Sequence, residues 1–313
     1  CYCETCASVG LALFGLRMAQ ITGEARYMDG VERALYNTVT AGIALDGKSF
    51  FYVNPLEVWP PACMAHTSLA HVKPVRQKWF NVPCCPTNIA RTLASLGQYI
   101  YFVRGDHLYV NLFIANEADI PMENGTVHVR LTGQFPWEGR VELSILSPSP
   151  FTLAVRLPDY AQEFSVTIAG RPVAFETRKG YALLPLEEGE SMVSVTLDIP
   201  PHLVYVHEQV RASAGQTAVM RGPLLYCMEE EDNAGPLSSL IIDTSTAYTE
   251  SWTEDLGGAV LLQVKGWREK SPETDTLYRN EAPGRERASL RFLPYCIWGN
   301  RMPGEMRTFV RVT

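Results

Sequence analysis

The sequence predicts a multidomain α + β protein in which a helical segment is followed by two antiparallel β-sandwich domains. Through the first hundred residues apolar side chains recur at near-helical spacing, whereas after Gln98 they alternate with polar ones. A period of 3.6 residues is typical of amphipathic helices, and strict alternation is typical of half-buried strands. Pro200 and Pro201 separate two sets of strand candidates. We therefore predict domains at residues 1–98, 99–201 and 202–313.

Three helices are expected in the first domain. The first begins at Ala7 and ends before Gly23, because glycine commonly follows the last helical turn. The second covers residues 25–41. The third begins at Pro86, where the missing N–H of proline costs no hydrogen bond, and it ends near Gly97. The apolar residues on one face of the second helix are Met28, Val31, Leu35 and Val39.

A long loop is expected between the second and third helices. Residues 50–53 are predicted to be extended, and six prolines between residues 55 and 86 exclude long regular elements. Loops of this length are usually functional.

The strand candidates are short and are separated by turn signals, which is typical of antiparallel β-sandwiches. In the first β domain they cover residues 99–103, 108–114, 141–146, 151–157, 164–168, 172–175, 181–186 and 192–199. In the second they cover residues 203–206, 218–220, 224–228, 260–264, 288–292 and 308–312.

Composition and charge exclude several classes of protein. The 313 residues are 46% hydrophobic and 19% charged, which excludes general disorder. A net charge of −7 and a pI near 5.5 disfavour nucleic acids and anionic membranes, which are polyanions. The longest apolar run, residues 9–21, contains Arg17 and is shorter than the roughly 18 residues of a membrane span. We therefore expect a neutral or small ligand, and neither a nucleic acid nor a membrane as partner.

Eight cysteines form two clusters and three isolated positions. Cys1, Cys3 and Cys6 open the chain, and Cys84 and Cys85 are adjacent. A disulfide scaffold would need more cysteines, and a bond between adjacent cysteines closes a strained ring. The pattern predicts a metal site shared by both clusters or a reducing compartment. The isolated cysteines are expected to be small core residues: Cys63, Cys227 and Cys296.

The two clusters suggest a zinc site with two possible ligand sets. Glu4 and Cys6 point the same way on an extended segment, which we expect to precede the first helix. Cys6, Cys84 and Cys85 would then lie at helix N-termini, where N–H groups and the helix dipole favour thiolates. Three thiolates and the Glu4 carboxylate complete a tetrahedral site, in which one weakly held thiolate can act as a nucleophile. A structural site with Cys3 in place of Glu4, and unligated thiols, are the alternatives.

Aromatic, histidine and acidic residues near the cysteine clusters are weaker candidates for a binding site. Tyr52 and Glu57 fit either a sugar platform or a strand that merely packs, and packing is the expected outcome. His66 and His71 are expected to be surface residues. The Trp79-Phe80 pair (residues 79–80) either walls a pocket or anchors the loop.

Six sequence blocks together resemble glycoside hydrolase family 127, the β-L-arabinofuranosidases. The most specific are residues 3–7 (CETCA) and 84–88 (CCPTN), because paired cysteines before a proline-led helix are rare. The resemblance spans nearly the whole chain. It implies that residues 1–98 are the C-terminal helices of an (α/α)6 barrel, followed by two β-sandwiches. The other blocks are residues 51–57, 79–80, 221–224 and 303–306.

The resemblance also implies roles for individual residues. In the family, the positions of Glu4, Cys6, Cys84 and Cys85 bind zinc, and that of Tyr52 contacts the sugar. Cys84 is implied to attack the anomeric carbon, forming a thioglycosyl intermediate that water releases with retention, unlike the usual pair of carboxylates. The general acid/base of the family is a glutamate shortly before the first block, so we expect it upstream of this chain.

The expected function is therefore a retaining glycoside hydrolase that releases L-arabinose from β-L-arabinofuranosides. The alternative is a structural-zinc scaffold whose sandwiches bind glycans or a partner without turnover, and four sulfur ligands would favour it. A homodimer through the C-terminal β-sandwich is a further expectation. Reduced, metal-bound cysteines favour a cytoplasmic location.

Overall fold

The computed structural model describes residues 3–270, 276–278 and 280–313. The chain forms two compact units, and each is assembled from separated segments. The first unit contains Cys1–Thr5, Asn37–Pro86 and Pro201–Thr313. The second unit contains Cys6–Tyr36 and Thr87–Pro200. Both units therefore combine residues from the N-terminal hundred with strands from later in the chain.

The N-terminal hundred residues are helical at the predicted places. Helix α1 covers Thr5–Thr22, and α2 covers Arg26–Arg33 and continues as a π-helix over Ala34–Val39. Helix α3 covers Cys84–Ala94, and the single turn α4 covers Gly97–Ile100.

The third helix differs from its prediction at its start. It begins at Cys84 and not at Pro86, so both adjacent cysteines lie inside the first helical turn. Proline is tolerated at the third position, because the first N–H groups of a helix have no partner within it. Tyr99, predicted to open a strand, lies in α4.

Helix α1 is also the part of the described chain that bears on the expectation about membranes. By length and composition it is apolar enough to cross a bilayer, because the single charge of Arg17 does not outweigh its other residues. This is weak evidence, since the core helix of a soluble protein and an N-terminal signal sequence pass the same test. One face of α1 is buried in the protein, through Val9, Ala12, Leu16 and Ala19.

Strands make up most of the remaining chain, as the change in period predicts. In the order of the sequence they begin with β1 (Glu57–Val58), β2 (Tyr101–Arg104), β3 (His107–Val110), β4 (Asn116–Met122), β5 (Gly125–Gly133), β6 (Arg140–Ser147), β7 (Phe151–Arg156), β8 (Phe164–Ile168), β9 (Arg171–Pro172), β10 (Glu176–Arg178), β11 (Tyr181–Leu186) and β12 (Gly189–Leu197). They continue with β13 (Pro201–Tyr205), β14 (Gln216–Arg221), β15 (Leu224–Glu229), β16 (Leu240–Ile242), β17 (Thr249–Thr253), β18 (Ala259–Lys270), β19 (Gly284–Pro294), β20 (Met306–Arg307) and β21 (Val310–Val312), and the short helix α5 (Glu230–Asn233) follows β15.

Two sheets of the second unit share one hydrophobic core. The five-stranded sheet has the order β10-β11-β7-β3-β2, and the six-stranded sheet has the order β4-β5-β6-β12-β8-β9. Alternate residues of each strand point inward, so a register shift of one residue would expose the apolar set. The five-stranded sheet contributes Leu108, Val110, Leu153, Val155, Leu184 and Leu186. The six-stranded sheet contributes Ile120, Val127, Val129, Leu131, Val141, Leu143, Ile145, Val193 and Val195.

The hairpin of β4 and β5 is absent from the sequence prediction. Strand β4 lies at the edge of its sheet, and Ile120 is its one buried residue. An edge strand needs little apolar surface and tolerates charge and proline, so its sequence carries almost no alternation signal.

The first unit contains a ten-stranded sheet with the order β1-β20-β15-β19-β18-β16-β21-β14-β13, to which β17 adds by pairing with β18. Strand β14 also pairs with β15, so the hydrogen bonds run in a closed circuit from β15 through β19, β18, β16 and β21 to β14. All these pairs are antiparallel except β16 with β21. Closure leaves fewer exposed strand edges.

A buried ion network attaches α2 to the five-stranded sheet. Arg156 on β7 is fully buried and forms ion pairs with Asp29 (2.5 Å) and Glu32 (2.6 Å) on α2. Tyr160 donates a hydrogen bond to Glu32 (2.7 Å). Burial raises the pKa of the Glu32 carboxyl, and the charge of Arg156 acts in the opposite direction. The guanidinium is therefore what permits two carboxyl groups at this depth.

Replacing Arg156 by methionine should destabilise the protein by about 3–5 kcal/mol, because both carboxylates lose their cation. The pKa of Glu32, already raised above 4.5 in the folded protein, would rise further. A raised folded pKa favours the protonated form, so stability is retained at low pH and is lost as pH rises through that value. Urea unfolding at roughly pH 5 and roughly pH 8 should show a larger loss at the higher pH.

The control adds Asp29→Asn and Glu32→Gln to Arg156→Met, which removes both acids and should abolish the extra pH dependence. A loss of stability that is equal at both pH values in the single variant would contradict the prediction.

Candidate metal centre

A short antiparallel contact positions the first predicted ligand. Glu4 forms an isolated β-bridge with Val53, and the N–H of Thr5 donates to the carbonyl of Tyr52 (3.0 Å). The residues before α1 thus lie beside the predicted extended segment 50–53, which is separated from them by more than forty residues of sequence.

Thr5 fixes this contact with its side chain. Its fully buried hydroxyl donates to the carbonyl of Phe51 (2.9 Å) and accepts from the amide Nδ2 of Asn54 (2.9 Å). Because Thr5 is also the first residue of α1, these hydrogen bonds set where the helix begins relative to the extended segment.

The first turn of α3 brings two thiols to the same place. Cys84 Sγ lies 3.7 Å from Glu4 Oε1 and 3.9 Å from Cys85 Sγ. Cys85 Sγ lies 4.0 Å from the carbonyl oxygen of Tyr52. The first turn of a helix presents N–H groups and the positive end of its dipole, which favour negatively charged ligands.

Four predicted ligands come together in one group. One donor atom each from Glu4, Cys6, Cys84 and Cys85 lies within 4.8 Å of the other three. Bonds of about 2.3 Å would place two tetrahedral sulfur ligands of zinc about 3.8 Å apart. The 3.9 Å between Cys84 Sγ and Cys85 Sγ fits that distance. The 3.7 Å between Cys84 Sγ and Glu4 Oε1 fits a sulfur and an oxygen ligand, which zinc bonds of about 2.3 and 2.1 Å would place about 3.6 Å apart. In the part of the chain that the structure describes, this group includes Glu4 and not Cys3.

Asn88 is a neighbour of the site that the sequence did not assign. Its amide Nδ2 donates to Cys6 Sγ at 3.1 Å. Hydrogen bonds of this kind orient a metal ligand and moderate its charge. Its spacing of three and four residues from Cys85 and Cys84 places it on the same face of α3, a signal that was available in the sequence.

The predicted aromatic and histidine residues have different surroundings. The Tyr52 ring is half-buried and lies 6.1 Å from that of Phe80, so Phe80 anchors the loop against the extended segment. Trp79 is exposed. Glu57 forms an ion pair with Arg307 (2.6 Å) at the pairing of β1 with β20. His66 and His71 are exposed, as predicted, and lie outside the metal group.

The other cysteines are not part of the group. Cys63 and Cys227 are buried, as predicted, and Cys296 is half-buried. Burial raises the pKa of the Cys227 thiol, and it raises that of Cys296 to about 12. No disulfide bond joins any of the cysteines that the structure describes.

A buried arginine supports the segment that precedes Tyr52. Arg76 donates to the carbonyls of Ala41 (2.9 Å) and Trp298 (2.5 Å), and its guanidinium lies 4.5 Å from the centre of the Phe51 ring. Phe51 in turn stacks on Trp298 at 4.6 Å. Burial lowers the pKa of Arg76 to about 10, so the side chain remains charged at neutral pH.

Gln77, which follows Arg76, also contacts the extended segment, through its backbone. Gln77 and Phe50 exchange two backbone hydrogen bonds of 2.9 Å. Arg76 and Gln77 of the long loop therefore attach that loop to residues 50–51 of the extended segment.

Comparison with protein families identifies the class. The GH127 β-L-arabinofuranosidase catalytic domain matches residues 1–98, the GH127 middle domain matches residues 107–200, and the glycoside hydrolase family 127 C-terminal domain matches residues 201–311. The chain therefore belongs to glycoside hydrolase family 127, as its sequence blocks predict.

Individual relatives agree with this assignment. The chain is 36% identical to a non-reducing end β-L-arabinofuranosidase of Bifidobacterium longum subsp. longum, covering 99% of the chain and 49% of that protein. A crystal structure of a GH127 β-L-arabinofuranosidase from Geobacillus stearothermophilus T6 matches with a TM-score of 0.96 and 39% identity, covering 100% of the chain and 50% of that one. The GH127 β-arabinofuranosidase BT3674 matches with a TM-score of 0.89 and 27% identity, again over 100% and 50%. The chain spans about half the length of these relatives.

Replacing Arg76 by methionine should lower the free energy of unfolding by about 3 kcal/mol, because buried carbonyls lose charged donors. Arg76→Lys keeps the charge but has one donor group, so its loss should be smaller. Urea unfolding measures both values. Arg171, exposed on β9, provides the control, and Arg171→Met should change stability by less than about 0.5 kcal/mol. Similar values for Arg76→Met and the control would refute the supporting role.

Proposed function

We propose that the protein containing this chain is a retaining glycoside hydrolase that releases L-arabinose from β-L-arabinofuranosides. Cys84 is its nucleophile, and Glu4, Cys6, Cys84 and Cys85 hold a zinc ion. The observation that carries the proposal is the group of three thiols and one carboxylate within 4.8 Å. Membership of family 127 and the activity named for the relatives support the substrate class.

The donor set suits zinc better than other common metal ions. Thiolates are soft ligands, whereas calcium and magnesium prefer oxygen, and four donors match the coordination number of structural and catalytic zinc. Three thiolates and a carboxylate carry four negative charges against two positive ones, so the site has an excess of negative charge. When bound, zinc keeps the cysteines deprotonated at neutral pH.

Cys84 is the side chain proposed to react. Its thiolate attacks the anomeric carbon, the bond to the leaving oxygen breaks, and a general acid gives that oxygen a proton. Water then attacks the same carbon, the acid residue takes back a proton, and the thiolate leaves. Two inversions give net retention. The resemblance assigns the acid/base to a glutamate upstream of Cys1.

Other residues of the chain orient the reacting groups. Tyr52 is proposed to contact the sugar with its half-buried side chain, while its carbonyl lies beside Cys85 Sγ and accepts the N–H of Thr5. Asn88 orients Cys6 through its hydrogen bond. The contact between Cys85 Sγ and the Tyr52 carbonyl supports the proposal that the nucleophile on α3 and the sugar-binding ring of Tyr52 lie close together.

We also propose a division of the chain into three domains. We propose that residues 1–98 are the C-terminal part of an (α/α)6 barrel and that residues 99–201 and 202–313 are β-sandwiches. The boundaries of the family matches and the core shared by two sheets favour this division. The reduced cysteines favour a cytoplasmic protein. A homodimer through the C-terminal β domain stays a prediction.

A structural-zinc scaffold without turnover is less well supported. That interpretation requires four sulfur ligands, with Cys3 as the fourth. The group contains the carboxylate of Glu4 in that place.

We predict one zinc ion per chain, lost in Glu4→Gln and retained in Cys3→Ala. The amide is a poor zinc ligand compared with the carboxylate, whereas the Cys3 thiol is outside the group. Metal analysis by mass spectrometry after dialysis gives the stoichiometry of each variant. If Cys3→Ala lost its zinc while Glu4→Gln kept it, the four-cysteine interpretation would be correct.

In the full-length protein, Cys84→Ala should reduce turnover of an arabinofuranoside by roughly 10³-fold or more, because the nucleophile is removed. Cys85→Ala should reduce activity chiefly through loss of zinc. Measuring zinc content and kcat on the same samples separates the two effects. An electrophilic sugar analogue followed by peptide mapping should label Cys84, and a label on a carboxylate instead would refute the thiolate mechanism.

A further inference from the structure

A cavity on the second unit is lined by basic side chains. It has a volume of about 240 Å³ and is formed by Gly23, Arg104, His107, Tyr109, Arg178, Lys179 and Leu183. No carboxylate is among these lining residues. None of the candidate metal ligands is among them either. We refer to this cavity as the basic pocket.

The arginines of the basic pocket have unused hydrogen-bonding capacity. Within the described chain, neither the Arg104 nor the Arg178 side chain donates a hydrogen bond or forms an ion pair with another residue. Each guanidinium offers five N–H donors in a planar fork that matches a carboxylate. The chain as a whole has a net charge of −7, but two arginines without ion pairs and a lysine surround this one cavity. The local electrostatic potential is therefore positive and attracts an anionic ligand.

Two hairpin turns position the basic side chains of the pocket. Arg104 and His107 flank the turn between β2 and β3, and Arg178 and Lys179 lie at the turn between β10 and β11. Gly23 follows α1 with a φ of 68°, and a Cβ there would lie 2.7 Å from Nη1 of Arg104. The positive φ favours glycine at this position, and a larger residue would have to displace the Arg104 guanidinium from the cavity wall.

The remaining polar groups are already held in place. Lys179 Nζ donates to the carbonyl of Thr22 (2.6 Å), which is the end of α1. His107 Nδ1 lies 2.7 Å from the carboxylate of Asp106, which orients the ring. Capping of the helix end thus accounts for the lysine but leaves both arginines without a role.

The lining of the basic pocket includes the aromatic ring of Tyr109. The Tyr109 ring stacks on Phe102 at 4.5 Å and packs edge-on against the buried Tyr181 at 4.9 Å, so its position is fixed. A fixed aromatic ring beside unpaired arginines suits a ligand that has both a ring face and an anionic group. The volume of about 240 Å³ is below the roughly 300–1,000 Å³ of pockets for drug-sized ligands, so it suits a single sugar ring.

We propose that the basic pocket binds an acidic monosaccharide unit. Its carboxylate is held by Arg104 and Arg178, and its ring packs against Tyr109. The site is additional to the proposed hydrolase activity, and it would attach the protein to a glycan that carries uronic acid residues.

Calorimetric titration of the protein with D-glucuronate, D-glucose and inorganic phosphate tests the ligand class. Glucuronate should bind at least about tenfold more tightly than glucose, because the charged hydrogen bonds to the arginines are lost with the neutral sugar. Glucuronate should also bind more tightly than phosphate, which has no ring. Equal binding of the two sugars would overturn the proposal, and tighter binding of phosphate would assign the pocket to phosphate instead.

Variants locate the site. Arg104→Gln and Arg178→Gln should each weaken glucuronate binding by about tenfold, whereas Arg171→Gln, an exposed arginine outside the basic pocket, should not. Both pocket arginines are exposed, so neither substitution should affect folding. Unchanged glucuronate binding in both pocket variants would refute the assignment. Because binding is measured directly, the result stands whether or not the protein hydrolyses arabinofuranosides.

Discussion

The antiparallel contact between the residues before α1 and the extended segment before the long loop is the interaction on which the candidate site depends. It is held by the buried Thr5, whose side chain joins the carbonyl of Phe51 to the amide of Asn54. This contact sets the position of Glu4 relative to Tyr52, and Tyr52 is in turn adjacent to Cys85. The relative positions of Glu4 and Cys85 in the metal group therefore follow from backbone pairing.

In each unit a buried arginine joins a helical segment or loop to the rest of that unit. Arg156 is neutralised by Asp29 and Glu32, whereas Arg76 donates to backbone carbonyls and lies against an aromatic ring. A buried charge is expensive to desolvate, and removing its partners is more destabilising still. These residues therefore make the attachment of α2, and that of the loop before α3, strongly dependent on a single side chain.

The placement of the thiols has a chemical consequence for a glycoside hydrolase of family 127. Cys6, Cys84 and Cys85 all lie in first helical turns, and Asn88 donates to one of the sulfurs. Helix N-termini and an amide donor stabilise negative charge, and a cation is needed to hold three thiolates and a carboxylate within one small volume. The arrangement proposed to bind a metal would thus also supply the proposed thiolate nucleophile, where most glycosidases use a carboxylate.

The sequence by itself determined the helical N-terminal segment, most of the strands and the two cysteine clusters, because period, proline position and residue type are local properties. Arg76 and the strand β4 were not predictable, since a buried arginine and an edge strand look like ordinary polar sequence. Tertiary structure also determines that Glu4, and not Cys3, belongs to the group with Cys84. Neighbouring residues on an extended segment point in opposite directions, so the pairing of Glu4 with Val53 selects which one faces Cys84. That pairing joins residues far apart in sequence, and no local pattern records it.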